Sequence, residues 1–157
     1  MKTVLFVCTG NLCRSPMAAA LLRHRLVATG LDGQIHVASA GVWAAEGQSP
    51  SELAAATLAA RRVELGPHRS RPVTIPLLSE ADIIVVMEEA HRQSLFHLAP
   101  QYLGKVFLLS ELAGRHQDVA DPFGGKAADY ERTVVLLEEL IDAGMPRLLG
   151  QLGLGLT

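Results

Sequence analysis

Apolar and polar positions fall into blocks along this chain. Val4 to Val7 is apolar without interruption, which predicts a strand over Thr3–Val7 at the centre of a sheet covered on both faces. A helical period follows from about Pro16 to Thr29, with Ala18, Leu22 and Leu26 on one stripe, Met17 and Leu21 beside it, and Gly30 as the stop. Ile35 to Ala38 predicts a second strand, left on the small residues Ser39-Ala40-Gly41, which permit close backbone approach. Ser49-Pro50-Ser51-Glu52 has the form of a capping box opening a helix to about Val63. Asp82 to Met87 is the clearest buried strand, Glu88 to Leu98 predicts a helix ending before Pro100, and Lys105 to Leu109 predicts a fourth strand. From Ala127 a long amphipathic helix carries Tyr130, Val134, Leu137 and Ile141 on one face, and Gly144-Met145-Pro146 is expected to break or kink it.

Strands alternating with helices imply right-handed crossovers, hence an α/β fold: a three-layer sandwich with a parallel sheet between helices. Ligands of such sheets bind beyond the C-terminal strand ends. The first strand ends at Cys8.

Cys8-Thr9-Gly10-Asn11-Leu12-Cys13-Arg14-Ser15 lies between that strand and the first helix, so its backbone N–H groups and the helix N-terminus converge on one anion site. A cysteine at a helix N-terminus beside an arginine is a candidate thiolate nucleophile. Arg14 offers a fork of donors that grips two phosphoryl oxygens, and Ser15 is close enough to bond the sulfur. The pattern is not a nucleotide P-loop, because Gly-x4-Gly-Lys-Ser/Thr is absent.

Composition narrows the setting. The 157 residues suit one domain, and no Pro/Gly/Ser-rich linker divides them. A net charge of −2 argues against broad affinity for nucleic acid or anionic membrane, so an anion site must be local. The two cysteines share one loop, which fits a reducing cytoplasm better than a disulfide-stapled secreted domain. The apolar stretch before Cys8 is too short for a lipoprotein signal, and no apolar run is long enough to span a membrane. Gly150 to Thr157 is expected to fray. Oligomeric state is not legible.

Phosphoryl transfer to a cysteine needs a proton donor for the leaving oxygen. Asp118-Val119-Ala120-Asp121-Pro122-Phe123-Gly124-Gly125, after the fourth strand, supplies the candidates: Asp121 as the acid, Asp118 as a surface residue, and Phe123 as an aromatic that stacks on substrate. Taken alone, Asp-Pro-Phe-Gly-Gly reads equally as a turn with a packed aromatic. The six histidines show no metal-ligand spacing and no cofactor fingerprint is visible, so neither metal nor cofactor is expected.

These residues resemble the low-molecular-weight protein-tyrosine-phosphatase family from Val4 to about Leu140, most specifically in Val7 to Ala18, Ser39-Ala40-Gly41, Asp82 to Met87 and Asp121-Pro122. The resemblance implies a four-stranded parallel sheet with helices on both faces. It also implies Cys8 as nucleophile, Arg14 as phosphate clamp, Asp121 as general acid, and Asn11, Ser15, Ser39 and His68 as the network that shapes the loop, with Asn11 in a left-handed conformation. Thr9 to Ser15 would hold the phosphate of a phosphorylated protein, or inorganic phosphate. Cys13 would form a reversible disulfide with Cys8 that spares it from overoxidation.

Substrate choice stays divided. Asp121 to Gly125, Asp129-Tyr130, Ser39 to Val42 and Lys105 to Phe107 look like the bacterial protein-arginine phosphatases of the family. Those enzymes carry threonine where this chain has Leu12, whereas tyrosine-specific members carry a branched aliphatic residue there. Leu12 offers an apolar wall, and Trp43 and Phe123 are candidate walls for a flat ring or a guanidinium. Phosphotyrosine is the expected substrate and phosphoarginine the alternative. A thioredoxin-coupled arsenate reductase would need cysteines outside the loop, and a non-catalytic phosphoprotein-binding module would have lost Cys8 or Asp121.

Overall fold

A computed structural model describes residues 1–155. Its strands are β1 (Lys2–Cys8), β2 (Ile35–Gly41), β3 (Ile83–Val86) and β4 (Val106–Leu108), and its helices are α1 (Arg14–Thr29), α2 (Glu52–Ala59), α3 (Ile75–Glu80), α4 (Glu89–Leu98), α5 (Leu109–Leu112) and α6 (Ala127–Gln151). All strand pairs are parallel and the order is β2-β1-β3-β4, with Cys8 opposite Gly41 and Val7 opposite Val86.

The uninterrupted apolar run explains the central place of β1. Val4, Phe6 and Cys8 point into one core with α1 and α6, while Leu5 and Val7 point into a second core with Leu78 of α3 and Leu95 of α4. Both faces of one short strand are therefore dry, and its last side chain, Cys8, leaves the sheet on the side of α1.

The structure moves several expected boundaries. Helix α1 starts at Arg14, two residues before Pro16, because the loop hands its chain directly to the helix. Strand β2 runs on through Ser39-Ala40-Gly41. The capping box at Ser49–Glu52 does not form: Ser51 occupies the cap position without a side-chain cap and instead donates to the Tyr130 hydroxyl at 2.9 Å, while Ser49 accepts from Arg69. Helix α6 passes through Pro146 unbroken. Pro146 and Asp142, whose carbonyl loses its helical partner, both lie on the solvent side of the helix, where that carbonyl is open to hydration, while Gly144 packs against Leu112 on the buried side. The end of the chain is packed as far as it is described, since Leu152 is buried and the Leu154 N–H donates to the Leu149 carbonyl; Leu156 and Thr157 lie outside the described residues.

Candidate active site

The loop between β1 and α1 is held by Asn11. This residue is fully buried with a φ of 58°, a left-handed conformation that asparagine tolerates better than most. Its amide nitrogen donates to Ser15 Oγ at 2.8 Å and Ser39 Oγ at 3.0 Å, and its amide oxygen accepts from the Arg71 N–H at 3.0 Å. Its backbone carbonyl accepts from His68 Nε2 at 2.7 Å, and burial pushes His68 toward the neutral form that keeps this bond. The structure thus brings Asn11, Ser15, Ser39 and His68 together, and adds Arg71, whose N–H joins them.

Gly41 shows why a small residue ends β2. A Cβ there would stand 2.4 Å from the Thr9 carbonyl oxygen and 3.0 Å from the Asn11 nitrogen. The two chain segments then stitch together through Val42 N–H to Cys8 O and Trp43 N–H to Thr9 O, each at 2.9 Å.

Cys8, Thr9, Gly10, Leu12, Cys13, Arg14, Asp121 and Phe123 line one pocket of about 170 Å³. Cys8 Sγ lies 2.9 Å from Ser15 Oγ; a thiolate carries no hydrogen, so in that state Ser15 is the donor. Arg14 is buried, with Nη1 donating to Glu88 Oε2 at 2.6 Å and to the Val119 carbonyl at 2.7 Å. Its Nη2 donates to Thr9 Oγ1 at 3.2 Å and stands 3.6 Å from Asp121 Oδ2, while Nε has no partner among the described residues. Helix α1 likewise begins without a side-chain cap and without an acid in its first turn. An orphaned buried guanidinium nitrogen and an uncapped helix N-terminus in one pocket fit a tetrahedral oxyanion.

Asp121 is half exposed at the pocket mouth, and its other carboxylate oxygen accepts from the Phe123 N–H at 3.1 Å, which turns the loop over the pocket. Asp118 stays at the surface and accepts from the Glu89 N–H at the start of α4. Trp43 is not among the residues that line the pocket: it is 86% exposed, and it is bonded to the loop through its backbone N–H.

A metal-like trio, Glu89, Glu111 and His116, has two half-buried carboxylates and an exposed imidazole, none of them lining the pocket, and Arg92 already pairs with both of its carboxylates.

The sequence model of the low molecular weight phosphotyrosine protein phosphatases matches residues 3–151. The chain belongs to that family. It is 36% identical over 148 residues to the probable low molecular weight protein-tyrosine-phosphatase EpsP of Ralstonia nicotianae, covering 94% of this chain and 97% of that one. It is 40% identical over 139 residues to the protein-arginine-phosphatase of Bacillus subtilis, covering 88% and 91%. The structure of the YwlE arginine phosphatase, a cysteine-to-serine mutant with a phosphorylated active-site serine, superposes with a TM-score of 0.88 at 38% identity, covering 94% and 95%.

In this member three further residues shape the pocket. Glu88 is the ionic partner of Arg14. His91 is buried, and burial, reinforced by the Arg14 charge, lowers its pKa to about 4. Neutral His91 accepts from the Glu88 N–H at Nδ1, so Nε2 carries the hydrogen and donates to Thr9 Oγ1 at 2.9 Å. Because Thr9 also accepts from Arg14, its own hydroxyl hydrogen is left for the pocket. Tyr130, whose pKa burial pushes up to about 12, sits 3.4 Å from Cys13 Sγ, and burial also raises the Cys13 thiol. Their sequence signals were weak: Glu88 and His91 looked like the first turn of a helix, and Tyr130, though part of the resemblance to the protein-arginine phosphatases, carried no sign of its contact with Cys13.

Proposed function

We propose that this protein hydrolyses phosphomonoesters on phosphorylated proteins, preferring phosphotyrosine, through a phosphoryl group carried on Cys8. The observation that carries the reading is the convergence of Cys8, the buried Arg14 with its unpartnered Nε, and Asp121 on one small pocket. The Cys8 thiolate attacks phosphorus in line; the S–P bond forms as the ester P–O bond breaks, and protonated Asp121 gives its hydrogen to the departing oxygen. Loop N–H groups and Arg14 meet the equatorial oxygens as charge spreads over them. Asp121, now a carboxylate, takes a proton from water, whose oxygen displaces the sulfur and releases inorganic phosphate.

Leu12 supports the phosphotyrosine preference, since it gives the pocket an apolar wall, with Phe123 at the rim for an aryl ring. Phosphoarginine is the second reading, favoured by the likeness to protein-arginine phosphatases. Both cysteines are free thiols, as a reducing cytoplasm would keep them. No helix among the described residues is long and apolar enough to cross a membrane.

Cys8→Ser should abolish turnover of an aryl phosphate, and Asp121→Ala should let a phosphoryl adduct build up on Cys8, read by mass spectrometry after acid quench. Retained turnover in Cys8→Ser overturns the mechanism. Paired kinetics on phosphotyrosine and phosphoarginine peptides test the preference, which a large excess for phosphoarginine reverses.

A further inference from the structure

A second cleft, of about 580 Å³, lies along the outer edge of β2, and none of Cys8, Arg14 or Asp121 lines it. Three arginines do: Arg23, Arg69 and Arg71. Elsewhere Arg14, Arg25, Arg61, Arg92, Arg115 and Arg132 each pair with a carboxylate, and among the described residues only the exposed Arg62 and Arg147 do not. The three guanidiniums of the cleft meet only neutral oxygens among the described residues. Arg23 donates to the Val37 carbonyl at 2.8 Å, Arg71 to the Ser39 carbonyl at 3.0 Å and Arg69 to Ser49 Oγ at 2.5 Å. Glu64 lines the same cleft, and no ion pair joins it to them among the described residues. After burial, the field of these same three cations is what holds His68 below its ordinary pKa. Unpaired guanidiniums facing a shared cleft are the chemistry of anion recognition.

The occupant is a small molecule rather than an extended peptide. Peptide addition to a sheet edge needs free main-chain partners. Here the outward carbonyls of Val37 and Ser39 are taken by Arg23 and Arg71, and Gly41 is already bridged through Arg71 O and Val73 N–H. The volume is that of a small-ligand site.

The cleft also borders the catalytic loop from behind. Ser39, His68 and Arg71 line it, and all three hydrogen-bond to Asn11, the residue that fixes the loop. We propose that this cleft binds a small polyphosphate anion and that its occupancy is coupled to oxyanion binding at the Cys8 loop through Asn11. The coupling half rests on the loop's being the oxyanion site proposed above; the binding half does not.

The test uses tripolyphosphate as probe, with orthovanadate to fill the Cys8 loop. Calorimetry should show tripolyphosphate binding to the vanadate-saturated protein. Affinity should fall by about tenfold or more in Arg23→Gln/Arg69→Gln, consistent with the loss of charge-assisted bonds. Aryl phosphatase activity of that variant should match the parent. Vanadate affinity should change by a saturating factor as tripolyphosphate is added, as linkage requires. Loss of tripolyphosphate binding under vanadate, binding indifferent to the double substitution, or an apparent vanadate affinity that weakens without limit, as simple competition gives, each overturns the proposal. Failure of vanadate to bind at all counts against the phosphatase reading and the coupling, and the binding half is then decided by the double variant.

Discussion

Arg14 Nη1 and Glu88 Oε2 meet at 2.6 Å, with the arginine buried and the glutamate partly open to solvent. The pair holds Nη1, leaving Nη2 on Thr9 Oγ1 beside Asp121 and Nε without a partner among the described residues. Glu88→Ala should therefore destabilise the free protein by about 2–3 kcal/mol, below the full value for a buried pair because Glu88 is partly solvated. Vanadate should restore much of the lost thermal stability, since an oxyanion supplies the missing negative charge. A melting curve with and without vanadate checks this; an equal loss in both conditions would contradict it.

Gly41→Ala places a methyl group against the Thr9 carbonyl, a main-chain atom that can retreat only by moving the loop. Turnover should drop by about a hundredfold, the scale of an ångström-sized misplacement. Aryl phosphate kinetics would reveal it, and near-parental turnover would mean that the loop yields more easily than its hydrogen bonds imply.

Thr9→Val removes the hydroxyl held by His91 and Arg14, whereas Thr9→Ser keeps it. The expected outcome is a fall in kcat of about tenfold in the valine variant, the scale of one lost donor to a charged group, and little change in the serine variant. A similar loss in both would make the methyl group, not the hydroxyl, the relevant part.

His91 also sets a pH dependence. Its folded pKa, about 4, lies below the ordinary histidine value of about 6.5 that the unfolded chain keeps, so between pH 4 and 6.5 the unfolded chain binds more protons than the folded one. Stability should be fully present above pH 6.5 and decline as pH falls toward 4, with His68, shifted in the same direction by burial, adding to the slope. In His91→Gln the denaturant-unfolding free energy should vary less across that window. An unchanged slope would show that His91 is not its source.

Leu12→Thr should lower kcat/KM for a phosphotyrosine peptide and raise it for a phosphoarginine peptide. A variant with both values unmoved would take Leu12 out of the substrate contacts.

Much of this was legible because the loop is local. Cys8, Arg14 and Ser15 lie within one turn of chain, and Ser39-Ala40-Gly41 announced a close approach that the 2.4 Å clash at Gly41 bears out. The contacts of Glu88, His91 and Tyr130 with the loop were not legible, since their partners are more than seventy positions away and only the parallel sheet and α6 bring them together. Trp43 misled for the opposite reason: it is adjacent in sequence to the loop's support, but its side chain turns outward. Pro146 misled because propensity ignores which side of a helix faces water.

Trp43 gains a different value from that position. It is the only tryptophan in the chain, its side chain stands in solvent, and its backbone N–H is bonded to the Thr9 carbonyl beside the nucleophile. Its emission is therefore a built-in optical reporter tied to the loop by a single main-chain bond, able to follow loop rearrangement during turnover without any attached dye.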